Sequence, residues 1–337
     1  MNWGVKMSEE ISKLNPINAL AVNQNDMSQA FVFCAIASKE GFAGSVNIKD
    51  VNNSLHTYLC NAFVALKTTK IYNPEVNVGI ITNASVDPKT VALFESEGIR
   101  IYCAPFDDFL FPKENKWSLA FFKLSSYNWA IRNLEYNYYI QLDCDVVCNG
   151  DLSDLIEESK RSVVMLSGPF TFSHPVRTRF LKAYKLLYED EQAIVKYGSG
   201  LICGSKDKLL PFFDCCLNLY EKIKEKNYCN DNLLGDEFIT SIAAIKSGVT
   251  IVDGNPYMCV YWTHRFYLVS TNYYYDKMVF LHLPAEKELG MMLLYKYYTK
   301  HKKFPDQKKI YSLLNLPSKR FPVVRIFINW LKNKITK

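Results

Sequence analysis

Short, β-rich apolar runs recur along the chain with helix-patterned stretches between them, and this alternation constrains the fold more than any other feature. The runs are AFVFCAIAS (30–38), VNVGIIT (76–82), IRIYCA (99–104), YNYYIQLDCDVV (136–147), SVVMLSG (162–168), LICG (201–204), TIVDG (250–254) and MVFLHL (278–283). The spacing predicts helices from about Val51 to Leu66, from Asp87-Pro88 to a stop at Gly98, from Ser118 to Leu134, over DLSDLIEE (151–158), over 206–226, and over GDEFITSIAAIKSG to a stop at Gly248. Strands alternating with helices give an α/β fold with a mostly parallel sheet, whose ligands bind beyond the carboxyl ends of the strands. At 337 residues with 49% apolar residues, the chain is long enough to bury a large core.

Asp143 and Asp145 close the most aromatic of these runs. In an extended segment residues i and i+2 point to the same side, so the two carboxylates are expected to converge where the strand runs out. Like charges that close repel, so either one takes up a proton or a bound divalent cation keeps both ionised; hard oxygen ligands suit Mg²⁺ or Mn²⁺. The open positions of such an ion fit a diphosphate, whose departure a divalent charge stabilises.

The segment WSLAFFKLSSYNWAIRNLEYNYYIQLDCDVVCNGDLSDL (117–155), followed in order by YGSGLICG, GDEFITSIAA and VFLHLPAEK, resembles nucleotide-sugar-dependent glycosyltransferases of the GT-A fold. The likeness is to the family 8 type, that of glycogenin and bacterial lipopolysaccharide transferases, and runs over roughly residues 30 to 290. It implies a Rossmann-like GT-A domain over 29–290, after an N-terminal extension (1–28) and before a basic C-terminal tail (291–337). It also implies a metal held by Asp143, Asp145 and His282, and a donor site drawn from Ala35, Ala37, Phe42, Lys123, Asp143, Gly198, Ser199, Gly200 and Lys287.

Each of these residues also has a plainer explanation. A histidine at a strand end is often structural, and this chain has Ala285 where the family usually has Gly and lacks the Pro-Trp that commonly follows the lysine. Lys123 would ordinarily be a solvated helical lysine, but its neighbours Phe121, Phe122 and Leu124 are apolar. Asp236 and Glu237 open a helix, where acidic groups are stabilising in their own right; the resemblance makes one of them the carboxylate near the reacting carbon, Asp236 first, with Glu237 standing where Gln is common. Gly198 replaces the family's Asn. Ala35 and Ala37 suit core packing equally well, while Phe42 resembles an aromatic lying against uracil.

Charge is uneven. From Lys296 to Lys337 there are twelve Lys and Arg against one acidic residue, Asp306, whereas the whole chain has 40 basic and 34 acidic residues, so the body is mildly acidic. In RFPVVRIFINWLKNKITK, Val324, Phe327, Ile328, Leu331 and Ile335 recur on one helical face, the pattern of a basic amphipathic helix on an anionic membrane surface. The competing arrangement docks that helix on the domain. Residues 318–337 are expected to be dispensable for donor chemistry. Nucleic acid is not an expected partner, given the acidic body and the lack of a binding motif.

The ten cysteines are scattered and read as reduced thiols; the polar N-terminus and lack of a long apolar run point to a cytoplasmic protein, peripheral at the inner face of the membrane. The expected activity is transfer of a sugar from a nucleotide sugar, UDP-linked, to a polysaccharide or a lipid-linked acceptor such as lipopolysaccharide. Two alternatives share these residues: a sugar-1-phosphate nucleotidyltransferase, and a sugar-binding or membrane-scaffold protein of the same fold that has lost catalysis. Family 8 resemblance implies retention at the anomeric carbon; an Asp or Glu acting as base on the acceptor would give inversion.

Overall fold

The structure, a computed structural model, describes residues 24–40, 48, 53–115, 117–168, 175–188, 190, 192–226, 235–264, 275–316 and 322–335. The first half comprises α1 (Gln24–Ser28), β1 (Ala30–Ile36), α2 (Ser54–Tyr72), β2 (Asn77–Thr82), α3 (Pro88–Ser96), β3 (Ile99–Cys103), α4 (Phe122–Asn133), β4 (Tyr138–Leu142), β5 (Val146–Cys148) and α5 (Ser153–Ser159). Then come β6 (Val163–Ser167), α6 (Pro175–Leu187), β7 (Tyr197–Ser205), α7 (Lys206–Glu225), α8 (Asp236–Lys246), β8 (Ile251–Asp253), β9 (Met258–Val260) and β10 (Phe280–His282). Three helices follow: α9 (Gly290–His301), α10 (Gln307–Leu313) and α11 (Pro322–Ile335).

Seven described strands form one sheet in the order β3-β2-β1-β4-β7-β6-β8. Every neighbouring pair is parallel except the two that β7 makes, with β4 and β6. The chain thus adopts the expected α/β architecture, a mostly parallel sheet flanked by helices.

Alternation along β1 shows why. Phe31 and Phe33 enter one core with Tyr127 of α4, Phe213 of α7 and Phe238 of α8. Ala30, Val32 and Cys34 enter the other, with Phe63 and Leu66 of α2 and Phe94 of α3. Burying each large side chain contributes about 1.5–3 kcal/mol, so both faces need helical cover. Helix limits follow local chemistry. Asp87 caps α3 by accepting from the Lys89 and Thr90 amides at 3.1 and 3.0 Å, Pro88 fits the first turn, and Gly98 ends the segment at φ +74°.

Some expectations need correction. YNYYIQLDCDVV is two strands, β4 in the large sheet and β5 in a second sheet of order β5-β10-β9, and Asp143 and Asp145 occupy the turn between them. The carboxylates are therefore not brought together by an extended strand. The turn backbone is pinned from both sides: the Asp143 amide donates to Gly200 O at 3.2 Å, and the Leu283 amide donates to Asp145 O at 2.8 Å. Helix α4 begins at Phe122, after turns over 117–121, and α2 extends to Tyr72. Strand β9 has no counterpart in the sequence reading.

The C-terminal helices pack from the second sheet outward. Met291 and Leu294 of α9 join Leu281, Leu283 and Leu314 in a third apolar cluster. Helix α11 docks through Ile326, 1% exposed, and Asn329, 7% exposed, while Val324, Phe327, Ile328, Leu331 and Ile335 remain exposed. Among the described residues, no helix is long and apolar enough to cross a membrane. Nine cysteines of the described residues are free thiols.

Candidate metal centre

Strands β1 and β4 are parallel, and their carboxyl ends share an edge with the start of the antiparallel β7. At that edge the chain leaves β4 through Asp143-Cys144-Asp145 and enters β5. Strand β10 runs antiparallel to β5 with His282 opposite Val146, which delivers the imidazole beside the turn. His282 Nε2 lies 3.4 Å from Asp143 Oδ2 and 3.3 Å from Asp145 Oδ2. One ligand atom from each of Asp143, Asp145 and His282 falls within 4.8 Å of the others, so the three form a group able to hold a metal ion.

Two observations fit that role. Both ring nitrogens of His282 are buried without a hydrogen-bond partner, an expensive condition that a metal bond would relieve at one of them. A Cβ on Gly200 would stand 3.1 Å from His282 Nδ1 and 3.3 Å from Asp143 Oδ2, so the absence of a side chain there gives these two side chains their room. The oxygen and nitrogen donor set is that of a hard or borderline divalent ion.

Two ammoniums brace the carboxylates. Lys287 Nζ donates to Asp145 Oδ2 at 2.5 Å, both side chains being buried. Lys123, in the first turn of α4, places Nζ 3.1 Å from Asp143 Oδ1, 3.1 Å from Asp236 Oδ2 and 2.5 Å from Ser199 Oγ. Burial opposes the charge on each lysine, but the neighbouring carboxylates outweigh it and raise both pKa values, Asp145 and Asp143 acting on Lys287 and Asp143 and Asp236 on Lys123. Burial likewise opposes ionisation of Asp145, yet Lys287 and then His282 hold its carboxyl well below the usual range. Three carboxylates face two ammoniums here, leaving formal negative charge for a cation.

The two acidic residues that open α8 diverge. Asp236 turns into the cluster through Lys123. Glu237 instead pairs with Lys196, Nζ to Oε2 at 2.6 Å, and its side chain is 36% exposed. Packing around the Glu237 carboxyl raises its pKa despite that partner. Gly198 lies beside it, a Cβ there standing 3.6 Å from Glu237 Oε1.

The structure therefore brings Lys123, Asp143, Asp145, Ser199, Gly200, Asp236, His282 and Lys287 together at one sheet edge, with Gly198 and Glu237 adjoining. Ala35, on β1, is tied to the turn, its carbonyl lying 3.9 Å from Cys144 Sγ. Ala35 and Ala37 also pack against the aromatic core, as the plainer reading has it. Phe42 lies outside the described residues. Lys196 and Glu286 escaped the sequence reading: Lys196 precedes YGSG without a motif of its own, and Glu286 sits inside VFLHLPAEK but carries no recognisable signature.

No protein-family model matches the chain, and no curated protein matches it. Among solved structures, the chain is similar to the crystal structure of an active-site mutant of LgtC, at 14% identity and a TM-score of 0.48, over 75% of this chain and 86% of that one.

Proposed function

We propose that this chain is a metal-dependent glycosyltransferase of GT-A type, moving a sugar from a UDP-linked donor to a polysaccharide or lipid-linked acceptor. The observation that carries the reading is the convergence of Asp143, Asp145 and His282 with Lys123 and Lys287 at the carboxyl ends of the parallel strands β1 and β4. A divalent ion, Mn²⁺ or Mg²⁺, held by Asp143, Asp145 and His282 would neutralise the donor's diphosphate and stabilise the departing nucleoside diphosphate. Lys123 and Lys287 add fixed positive charge at the same edge, already oriented by their carboxylate partners. Asp236, linked to the ligand Asp143 through Lys123, is the carboxylate placed to face the sugar, and Gly198, Ser199 and Gly200 supply a backbone the sugar can approach closely. Ala35, Ala37 and Phe42 belong to the nucleoside end in this reading. The exposed stripe of α11, with Lys332 and Lys334 nearby, suits an anionic lipid surface where a lipid-linked acceptor resides. The protein would then work in the cytoplasm at the membrane's inner face.

The test is a screen of nucleotide sugars for hydrolysis with and without chelator, on the native chain and on Asp145→Asn. The expected result is release of UDP from at least one donor, dependent on Mn²⁺ or Mg²⁺ and lost in the variant. Turnover unchanged by chelator would overturn the reading, as would formation of pyrophosphate from UTP and a sugar phosphate in place of UDP release.

A further inference from the structure

Glu286 precedes Lys287 and is 2% exposed, yet its carboxylate takes no part in the metal cluster. It is the centre of a second polar network. Thr263 Oγ1 donates to Oε1 at 2.5 Å, and Asn315 Nδ2 and the Gly290 amide donate to Oε2 at 2.8 and 3.2 Å. Gly290 opens α9, so the carboxylate also complements that helix's N-terminus. Room for it depends on glycine, because a Cβ at 290 would stand 2.8 Å from Glu286 Oε2 and 2.9 Å from Leu313 O. The network continues into the tail: Asn329 of α11 donates through Nδ2 to Thr263 O at 3.1 Å and to Asn315 O at 2.9 Å.

Asn329 thus grips the two residues that hold Glu286, and Glu286 anchors the short segment between His282 and α9 that carries Lys287 onto Asp145. We propose that Asn329 and Glu286 are positioning residues for the metal centre, so that the C-terminal helix is a working part of the site. The inference rests on the metal-centre reading above, and it replaces the expectation that residues 318–337 are dispensable. The chemistry favours the assignment. Desolvating a carboxylate is costly even when donors satisfy it, and here it fixes the segment that brings Lys287 onto Asp145, the orienting role of groups outside a metal's own ligand set. A purely adhesive helix would need only apolar contacts such as Ile326.

The experiment titrates Mn²⁺ in the presence of UDP, following free Mn²⁺ by electron paramagnetic resonance well below the melting temperature of each full-length variant. Asn329→Leu removes the amide donors at similar volume, Thr263→Val removes the hydroxyl from Glu286 without changing shape, and Ile328→Ser alters an exposed position on the same helix. Asn329→Leu and Thr263→Val should weaken Mn²⁺ binding about 10-fold, while Ile328→Ser binds as the native chain does. Lower melting temperatures with native Mn²⁺ affinity in both variants would overturn the proposal and leave the metal centre standing. A native chain that fails to bind Mn²⁺ with UDP at all would sink both. If Asn329→Leu does not fold, Thr263→Val, which keeps the helix intact, decides.

Discussion

Lys287 Nζ reaches Asp145 Oδ2 across 2.5 Å, with side chains 9% and 1% exposed, so one buried charge is held by another. Removing one member of such a pair costs far more than removing both, because the survivor stays desolvated. Lys287→Met should therefore destabilise the metal-free protein by about 3–5 kcal/mol, while Asp145→Leu combined with Lys287→Met should recover most of that loss. Thermal melts of the native, single and double variants check this. The double variant should regain stability without regaining Mn²⁺ binding.

The same pair sets a pH profile. The Asp145 carboxyl is held below its usual range, so the native state gives up that proton more readily than the unfolded chain does. Its contribution is complete above about 3.9, the unfolded value, and disappears as pH falls towards the lower native value. Lys287 is shifted upward, so its contribution is complete below about 10.4 and is lost as pH rises through the native value. The difference in melting temperature between the metal-free native chain and Asp145→Asn should be flat from about pH 5 to 9 and shrink towards pH 3. A difference that grows on acidification would contradict the assigned ion pair.

Gly200 tests the geometry of the candidate metal site without replacing Asp143, Asp145 or His282. An added methyl would press on His282 Nδ1 at 3.1 Å and Asp143 Oδ2 at 3.3 Å, and both groups must give by a few tenths of an ångström. Gly200→Ala should weaken Mn²⁺ binding about 10-fold while shifting the melting temperature little, since β7 backbone accepts alanine readily. Titration calorimetry with Mn²⁺ and circular dichroism melts separate the two effects.

How much of this was legible in the sequence follows from which residues are local and which are not. The sheet was legible because β1 is a short unbroken apolar run, as a strand buried on both faces must be, with Phe31 and Phe33 packing one side and Val32 and Cys34 the other. Asp143 and Asp145 were legible as a pair because they are two residues apart, though the physical reason is a turn between sheets. His282 and Lys287 lie at the far end of the fold, and only their order relative to the Asp pair suggested them; the antiparallel pairing of β10 with β5 is what brings them in. Lys196 and Glu286 were illegible because their partners, Glu237, Thr263 and Asn315, are set by tertiary packing and leave no pattern in the chain. The stripe on α11 was read correctly as a face but docking was posed as its rival, whereas the helix docks by Ile326 and Asn329 and keeps the stripe outward.

Asp236 and Glu237 offer a sharp contrast in one turn of helix. Asp236 belongs to the charge cluster through Lys123, and Glu237 to a separate pair with Lys196. Asp236→Asn should lower donor turnover about 100-fold or more, the scale of losing an oriented polar group at a reacting centre. Glu237→Gln should retain most turnover, because an amide keeps the hydrogen bond to Lys196. Rates of UDP release from the donor found in the screen decide between them; the reverse ranking would make Glu237 the sugar-facing group.

The exposed stripe of α11 makes a final prediction independent of catalysis. Phe327 and Leu331 are 48% and 38% exposed, one turn apart, and Lys332 and Lys334 are exposed near them. An apolar face flanked by cations binds anionic interfaces through burial of the rings and methyls, with electrostatics adding about 1 kcal/mol per basic residue near the surface. Replacing both apolar residues, Phe327→Ser with Leu331→Ser, should shift the protein from the pellet to the supernatant in sedimentation with phosphatidylserine vesicles. Because neither residue takes part in the Asn329 network, Mn²⁺ affinity in the same sample should stay native. Equal sedimentation of native and double variant would remove the membrane assignment and leave the stripe a face for another partner.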